Sequence, residues 1–367
     1  MQPFLQAVKR EMALQFSIFN FQFSTPPDTL YIGGGTPSLC GAEELGELII
    51  EAKRLWKCEF KEVTVEMNPE DVTNRYCETL AQYGVNRLSL GIQSFFDTHL
   101  RLMNRRHNAA QGIKAVEAAR TAGYKNISID LIFGFPGLSP SQWKYNIEQA
   151  LALRPEHISA YQLGIEVGTP FYRMMQQGRL QPVSQEEAAS QYALLRQRLP
   201  AAGWEHYEIS NFARKGFRSR HNSAYWQGVP YLGLGPSAHS YNGVARHANV
   251  RHLGRYLKAI DAAQALSPPT WGQSGICLIE APMTHKKRYN EFIMTRLRTA
   301  EGFTEHSLIA FMTPWCTPRF IKKMERHLIE AATPLLQKGW LVRKGESIRI
   351  PPQKWFVSDG IIVALMM

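Results

Sequence analysis

Short apolar runs and longer amphipathic segments alternate along the first half of the chain. An amphipathic helix is predicted over residues 4–20. Five apolar runs of strand length follow it, separated by segments with helical periodicity. The predicted strands are TLYIGGG, EVTVEMNPE, RLSLGIQS, NISIDLIFGFPG and HISAYQLGIE. Such alternation is typical of parallel strands joined by crossover helices, so the sequence predicts an α/β fold.

Capping sequences mark several of the predicted helix starts. Three capping boxes are predicted, pairing Asn108 with Gln111, Ser139 with Gln142 and Ser184 with Glu187. Pro140 suits the first position of its helix, and Gly84 suits the end of the helix predicted over DVTNRYCETLAQYG.

Every predicted strand brings a polar side chain or bare backbone to its C-terminal half. These groups are Gly34, Gly35 and Thr36, then Glu66 and Asn68, Gln93 and Ser94, Asp130, and Gln162. An open doubly wound sheet and a barrel both fit the alternation, but a ligand of an open sheet normally meets fewer strands. Convergence of five strands on one site therefore favours a barrel, where chemistry lies at this end. Taken alone, each residue is more typical of a cap, a salt bridge or a core amide.

The first predicted strand ends on three consecutive glycines, Gly33 to Gly35. Each glycine costs roughly 0.5–1 kcal/mol relative to alanine, so a bare backbone must be needed there. A tight turn needs one or two glycines, whereas a ligand lying against the backbone could need all three. Short glycine signals of this kind are weak on their own.

The pattern changes after about residue 200. WEHYEISNFA is predicted as one more strand. HNSAYWQGVPYLGLGPSAHSY has no helical period and is predicted as a long ordered loop, a kind of loop that is usually functional. Beyond about residue 271, helices around 287–299 and 319–336 and a hairpin in GWLVRKGESIRI predict a small winged-helix-like domain. The predicted division is a barrel core over 1–200, a barrel extension over 201–270 and a C-terminal domain over 271–367.

Composition narrows the possible classes of protein. The 367 residues are 44% hydrophobic, with no apolar run long enough to span a membrane and no secretory pattern near the start. No two of the five cysteines have CxxC or CxxxC spacing, so no local metal motif is visible. Scattered free thiols suit a reducing compartment, and a cytoplasmic location is predicted.

The net charge of +11 favours anionic partners. Basic residues are densest in RKGFRSRH, HKKRY and RFIKKMERH. Charge runs of this kind are most often solvated faces. Nucleic-acid binding through the basic C-terminal region is permitted by composition, but a winged fold alone does not imply DNA contact.

Six segments together resemble one known protein family. YIGGGTPS, EMNPE, RLSLGIQS, LMNRRH, IDLIFGFPG and HISAYQLGIEVGTPF, in this order, resemble the oxygen-independent coproporphyrinogen III oxidase family of radical S-adenosylmethionine (radical SAM) proteins. RHNSAYW contains an HNxxYW pattern that is similar to the haem-chaperone branch of the HemW type rather than to the oxidase proper. YNEFIMTRLRT and SDGIIVALM resemble the same branch, so the resemblance covers almost the whole chain.

The resemblance implies a fold and a cofactor site. The fold class is then α/β, a partial (β/α)6 barrel of radical-SAM type whose first strand is missing, with the small C-terminal winged-helix-like domain. The residues that the resemblance assigns to S-adenosylmethionine are Gly34, Gly35, Thr36, Glu66, Gln93, Arg105 and Asp130. In the family's pattern the glycine run holds the methionine end and Glu66 accepts bonds from amino or ribose groups. The other three polar side chains line a second cofactor position or the substrate.

The resemblance also implies haem at the HNxxYW segment, with His221, Asn222, Tyr225 and Trp226 as the candidate residues. A neutral imidazole is a common haem-iron ligand, although a lone histidine is more often a hydrogen-bonding loop residue. Nearby cations are predicted to meet the haem propionates, namely Arg214, Lys215, Arg218 and Arg220.

The chain departs from the family at the iron–sulfur cluster. Family members carry CxxxCxxC just after the first barrel strand, where three thiolates hold a [4Fe–4S] cluster whose open iron binds S-adenosylmethionine. Neither the motif nor that strand is found in this sequence. A truncated family member is expected rather than a paralogue without radical chemistry, because the remaining S-adenosylmethionine positions are intact. We expect no stoichiometric cluster and no radical cleavage of S-adenosylmethionine.

Three functions follow as hypotheses. The first is a haem chaperone that binds haem and delivers it to haem-requiring proteins, in the cytoplasm or at the membrane surface. The alternative is oxygen-independent decarboxylation of coproporphyrinogen propionates in porphyrin biosynthesis. Nucleic-acid binding is the least supported, and no nucleic-acid partner is expected; a homodimer stays open.

Overall fold

Five parallel strands form the centre of the computed structural model, which describes residues 2–19, 25–264, 277–279 and 283–367. The strands are β1 (Thr29–Ile32), β2 (Glu62–Met67), β3 (Arg87–Gln93), β4 (Ile127–Phe133) and β5 (His157–Gln162). Each pairs in parallel with the next along the chain. Together with two further strands they make a curled seven-stranded half-barrel, as the predicted partial barrel requires.

Helices connect the strands and share one side of the sheet, because neighbouring parallel strands joined by right-handed crossovers place their helices on the same face. The first eight helices are α1 (Gln2–Phe19), α2 (Ala42–Trp56), α3 (Asn74–Gln82), α4 (Asp97–Leu102), α5 (Ala109–Thr121), α6 (Pro140–Ala152), α7 (Pro170–Gln176) and α8 (Gln185–Ala201). The predicted capping boxes of α5, α6 and α8 are confirmed. Helices α4 and α7 were not predicted, since six or seven residues are too few to show a helical period.

WEHYEISNFA forms two strands, so the prediction of a single strand is wrong. The strands are β6 (Glu205–Glu208) and β7 (Asn211–Ala213), which pair antiparallel; β7 also pairs antiparallel with β5. The chain turns at Ile209 and Ser210, where neither glycine nor proline marks the turn. This hairpin completes the half-barrel beyond β5.

The stretch predicted as a loop without helix also needs correction. It contains α9 (Arg220–Trp226), which begins after the capping side chain of Ser219. The elements that follow are β8 (His239–Tyr241), β9 (Arg246–Asn249), α10 (Leu253–Gln264) and β10 (Cys277–Ile279), with the three strands forming a second sheet. Seven residues span only two turns, so α9 left no periodic signal in the sequence.

The C-terminal part contains the two predicted helices and the predicted hairpin. Its elements are α11 (His285–Arg296), β11 (Phe303–Thr304), α12 (Glu305–Met312), α13 (Pro318–Gln337), β12 (Val342–Lys344), β13 (Ser347–Arg349) and α14 (Ser358–Leu365). The strands form a third sheet in the order β11-β13-β12. The division into three domains stays a prediction. Among the described helices, none combines the length and the apolarity that a membrane crossing requires.

The two faces of the half-barrel differ in chemistry. Side chains alternate along a strand, and the set that faces the helices is apolar and buried, as at Val63, Val65, Leu88 and Ile129. The opposite, concave face is polar. Its side chains include Glu62, Thr64, Glu66, Arg87, Ser89, Gln93, Ser128, Asp130, His157 and Ser159. A polar concave face does not stabilise the fold by apolar burial, so its residues need hydrogen bonds or a ligand.

Candidate functional site

The glycine run that follows β1 lies directly against the carboxylate of Glu66. The amide N–H of Gly34 donates to Glu66 Oε2 over 2.9 Å, and the Tyr31 hydroxyl donates to Glu66 Oε1 over 2.6 Å. The sequence had placed Gly34 and Glu66 at the ends of neighbouring strands, and the structure brings them into contact. They form the first part of a rim along the carboxyl ends of the strands.

The three glycines are needed for different reasons. A Cβ on Gly33 would lie 2.5 Å from the Tyr31 ring and 2.7 Å from the Glu66 carboxyl carbon, so the protein's own side chains require Gly33. Gly34 and Gly35 have φ values of +79° and +82°, and no atom lies within 4 Å of the position of a Cβ. Only these two leave open backbone that a ligand could approach.

Thr36 and the following turn bind the first two strand ends together. The carbonyl of Thr36 accepts the Leu39 N–H over 3.2 Å, closing a 3-10 turn over Pro37–Leu39. Within that turn the Ser38 hydroxyl donates to Asp71 over 2.7 Å and accepts the Asn68 N–H over 3.2 Å. The loops after β1 and β2 are therefore fixed relative to each other beside the open glycines.

Gln93 lies at the third strand end in a strained conformation. Its φ of +65° is in the left-handed region, which is unusual for a residue with a side chain. The register with β4 shifts between Leu90 and Gln93, so the strand is irregular at this point. Arg105 reaches the same part of the rim, where its Nη1 donates to Asn68 Oδ1 over a long 3.5 Å. Backbone strain of this kind clusters at binding sites.

Asp130 is the fourth rim residue and is only partly exposed. Burial raises its pKa to about 6, and the Glu66 carboxylate raises it further, while Ser159, Arg87 and Arg105 act in the opposite direction. Its one close neighbour on β3 is Ser89, whose hydroxyl lies 3.5 Å away. Glu66 and Asp130 thus place two carboxyl groups at the rim, and carboxylates favour a positively charged group nearby, such as an ammonium or sulfonium centre.

Helix α9 is attached to the half-barrel by Glu62, at the start of β2. This carboxylate, 4% exposed, accepts the N–H of Arg220 over 2.9 Å and the N–H of His221 over 3.0 Å. It also accepts the Ser219 hydroxyl over 3.4 Å. A carboxylate at the first turn stabilises a helix and fixes its direction. Glu62 therefore determines where the HNxxYW residues lie.

His221 packs against β1, beside the rim. Its imidazole stacks on the Tyr31 ring with centroids 4.7 Å apart and planes at 20°. Nδ1 lies 3.0 Å from the Thr29 hydroxyl, and Nε2 lies 3.2 Å from the Tyr225 hydroxyl. Burial lowers the pKa of His221 to about 4, with Glu62 opposing the shift and Arg87 adding to it. The imidazole is therefore neutral at physiological pH, the form that binds metals.

Asn222 and Trp226 also lie on α9, but their contacts are with residues other than His221. The Asn222 N–H donates to the Ser219 hydroxyl over 3.2 Å. The indole N–H of Trp226 is buried and has no hydrogen-bond partner among the described residues, and the Arg298 guanidinium lies 5.9 Å from the ring centroid. The structure thus brings His221 and Tyr225 together, and leaves the other two candidates separate.

The four basic residues near α9 have different environments. Arg218 bonds to Glu205 over 3.0 Å and to Glu301 over 2.6 Å, so its charge is already balanced. Arg214 covers the Trp204 ring at 3.9 Å. Lys215 and Arg220 are exposed. Of the predicted propionate partners, these last two are the ones presented to solvent.

The polar residues at the strand starts were missed by the sequence analysis. His157, fully buried, bonds to the Ser128 hydroxyl through Nδ1 and to the Tyr207 hydroxyl through Nε2, both over 2.8 Å. Arg87, 1% exposed, lies on the same face, and its Nε has no hydrogen-bond partner among the described residues. The sequence did contain a signal for these residues. Polar residues alternate with apolar ones along the whole length of each strand, and the sequence analysis considered only those at the strand ends.

The described residues fit the two family cofactors unequally. Open backbone at Gly34 and Gly35 with carboxylates at Glu66 and Asp130 fits a cationic ligand such as S-adenosylmethionine. For the cluster, no group of three His, Cys, Asp or Glu side chains in the described ranges is placed to hold a metal ion. The four cysteines whose side chains are described are free thiols. The described residues therefore do not fit an iron–sulfur cluster.

Comparisons with known proteins show which family the chain is similar to. The model of the radical SAM superfamily matches residues 21–150. The heme chaperone HemW of Bacillus subtilis (strain 168) is 39% identical over 261 residues, which cover 70% of this chain and 68% of that protein. The mitochondrial radical S-adenosyl methionine domain-containing protein 1 of Bos taurus is 30% identical over 353 residues, covering 92% and 75%.

Other matches concern length and fold. The HemW of Lactococcus lactis subsp. lactis (strain IL1403) is 38% identical, and the chain spans only 61% of its length. The coproporphyrinogen III oxidase HemN from Escherichia coli, a radical SAM enzyme, superposes with a TM-score of 0.78 over 99% of this chain and 82% of that one. Its 19% sequence identity makes this a likeness of fold alone. By its relatives and its half-barrel, the chain belongs to the HemW family of radical SAM proteins.

Proposed function

We propose that this chain binds haem at α9 and passes it to haem-requiring proteins. The observation that carries the proposal is the environment of His221. A neutral imidazole lies beside the exposed ring of Tyr225, with Lys215 and Arg220 presenting positive charge nearby in the sequence. A neutral nitrogen ligand, aromatic surface and cations for the propionates are the three features that a haem site needs. The curated relatives named as heme chaperones support the same function.

S-adenosylmethionine is the second ligand in this proposal, and it would occupy the rim. Gly34 and Gly35 would receive its amino-acid end, while Glu66 and Asp130 would face its positive charge. Gln93, Arg105 and Thr36 complete the set of residues around it. When bound to a family cluster this cofactor supplies radical chemistry; here the residues on the rim bind and orient it. Its site adjoins α9 through Tyr31, which contacts both Glu66 and His221.

The partners that this function requires are haem-accepting proteins. We propose that the chain meets them in the cytoplasm or at the membrane surface. The alternative, radical decarboxylation of coproporphyrinogen, has less support. The likeness to HemN concerns fold, whereas the relatives at 38–39% identity are named heme chaperones.

A haem titration tests the proposal. The parent, His221→Ala and Cys316→Ala are titrated with ferric haem at one salt concentration, and the Soret band is followed. We expect His221→Ala to weaken binding or shift the Soret band, and Cys316→Ala, a substitution of a different possible iron ligand, to do neither. If His221→Ala matches the parent in affinity and spectrum, α9 is not the haem site.

A further inference from the structure

Both nitrogens of His221 are already engaged within the protein. Nδ1 lies 3.0 Å from the Thr29 hydroxyl on β1, and Nε2 lies 3.2 Å from the Tyr225 hydroxyl, one helical turn further along α9. A neutral imidazole has one N–H donor and one lone pair. One of the two hydroxyls therefore accepts a hydrogen bond from the ring, and the other donates to it. An iron ion can bind His221 only at the nitrogen that carries the lone pair, after its present partner has left.

The two partners differ in their freedom to leave. Thr29 is part of the half-barrel sheet, and its strand is paired with β2. Tyr225 is 40% exposed, and its ring meets the His221 ring edge-on at 4.9 Å. A metal-binding histidine usually donates its second N–H to a fixed oxygen, which sets the tautomer and the ring orientation. Thr29 matches that fixed oxygen, which leaves Nε2 as the nitrogen with the lone pair.

We propose that the Tyr225 hydroxyl masks Nε2 of His221 in the haem-free protein and that haem iron displaces it, with Thr29 holding the imidazole in the iron-binding tautomer. This inference rests on the proposed function, because it requires haem at His221. In the exchange, the hydrogen bond from Tyr225 to Nε2 breaks and the Nε2 lone pair binds the iron. The phenol keeps its proton and turns to solvent, and no electron is transferred.

The environment of Tyr225 fits a displaceable mask. Its hydroxyl lies 3.2 Å from Nε2 of His221, and the residue is 40% exposed, so it can leave this position without disturbing the half-barrel. Its ring also packs edge-on against Tyr231 at 4.6 Å, a contact that a phenylalanine would keep. Tyr225 thereby weakens haem binding, since its hydroxyl competes with the iron for Nε2, as suits a protein that must release its haem.

Phenylalanine at position 225 is the informative substitution, since it removes the hydroxyl and keeps the ring. We expect Tyr225→Phe to lower the Kd for ferric haem by about 2- to 10-fold, the range that one hydrogen bond supports, with an unchanged Soret maximum. Thr29→Val should raise the Kd and alter the Soret band, since the tautomer is no longer fixed. Tyr241→Phe is the matched control, because its hydroxyl bonds to the Gly243 carbonyl away from His221.

The titrations are read together with His221→Ala, after circular dichroism has shown that each variant is folded. If the phenylalanine variant misfolds, Thr29→Val becomes the test, because the proposal requires that variant to bind haem more weakly than the parent. If His221→Ala abolishes binding while Tyr225→Phe binds haem no tighter than the parent, the mask is disproved and the haem site stands. If Tyr225→Phe loses the Soret band itself, Tyr225 is a ligand and the proposal is overturned. If His221→Ala binds as the parent does, the haem site and the mask fail together.

Discussion

The floor and the rim of the half-barrel are both polar, yet they differ in how far their polar groups are satisfied. At the floor, formed by the strand starts, Glu62 accepts three hydrogen bonds and His157 makes two. At the rim, formed by the strand ends, Gly34 and Gly35 are uncovered, and the Ser89 hydroxyl lies a long 3.5 Å from Asp130.

This difference separates scaffold from binding site. A buried polar group whose hydrogen bonds are all made within the protein is not available to bind a ligand. A polar group that lacks a partner, or a residue with a strained backbone, is stabilised when a ligand binds to it. Arg87 and Thr64, which lie side by side on β3 and β2, are exceptions, since Nε of Arg87 and the Thr64 hydroxyl have no partner among the described residues. The number of hydrogen bonds that the polar groups already make within the protein, rather than their polarity, therefore points to the rim as the proposed binding site.

The largest effect is expected at the floor, for Glu62→Gln. The amide of glutamine would direct an N–H group at the backbone N–H donors of Arg220 and His221. Hydrogen bonds at the buried start of α9 would then be lost. We expect a loss of about 3 kcal/mol in the free energy of unfolding. Urea unfolding measures it, with Glu66→Gln as the matched control on the same face of β2. Equal losses for the two variants would remove the distinction between floor and rim.

Gly33→Ala should come next, at roughly 2 kcal/mol of destabilisation, since its Cβ would meet Tyr31 and Glu66 at under 3 Å. Gly34→Ala meets no atom and should cost only the strain of a positive φ, about 1 kcal/mol. Thermal unfolding of the two variants and the parent measures which substitution is the more destabilising. A reversed order would show that Tyr31 and Glu66 do not close over Gly33.

Asp130→Asn should stabilise the protein at alkaline pH. The pKa of Asp130 is about 6 in the fold and near 3.8 when unfolded, so the folded state holds this proton more tightly. The bound proton therefore stabilises the folded state fully below pH 3.8, and this stabilisation is lost as the pH rises through about 6. The asparagine amide carries no charge at any pH, so the variant avoids this loss. We expect its free energy of unfolding to be roughly 1–2 kcal/mol higher than that of the parent at pH 8. Urea unfolding of the parent and the variant is measured at pH 8 and at pH 4. An equal increase in the free energy of unfolding at both pH values would show that the ionisation of Asp130 is not the cause.

The smallest effect is expected for the exposed cations near α9. The double variant Lys215→Gln and Arg220→Gln should weaken haem binding by about 2- to 5-fold at low salt and by less at high salt, because exposed charges are screened. Arg218→Gln serves as the control, since its charge is balanced by Glu205 and Glu301. An equal loss of haem affinity in the control would mean that the exposed pair does not bind the propionates.

The rim could be predicted from the sequence because its residues follow apolar runs, where a polar residue stands out. Glu66, Gln93 and Asp130 were found in this way. His157 and Glu62 were missed because they stand where strands begin, and there a polar residue is indistinguishable from the end of a loop. Their partners, such as Tyr207, are far away in the chain.

Short elements were the other limit. Seven residues of α9 and the four-residue β6 are too short to show a period, so a helix was taken for a loop and a hairpin for one strand. Their geometry is set by tertiary contacts, with Glu62 bonding to α9 and β5 pairing with β7. Contacts of that kind leave no local pattern in the sequence.

The division between floor and rim is tested most directly by S-adenosylmethionine binding to Glu62→Gln and Glu66→Gln, measured by isothermal titration calorimetry at a temperature where both are folded. The two carboxylates lie four residues apart on the same face of one strand. We predict that the parent and Glu62→Gln bind with the same Kd, and that Glu66→Gln binds at least about tenfold more weakly, as the loss of a charged hydrogen-bond acceptor implies. Equal affinity in all three proteins, or a loss confined to Glu62→Gln, would contradict the placement of the ligand on the rim.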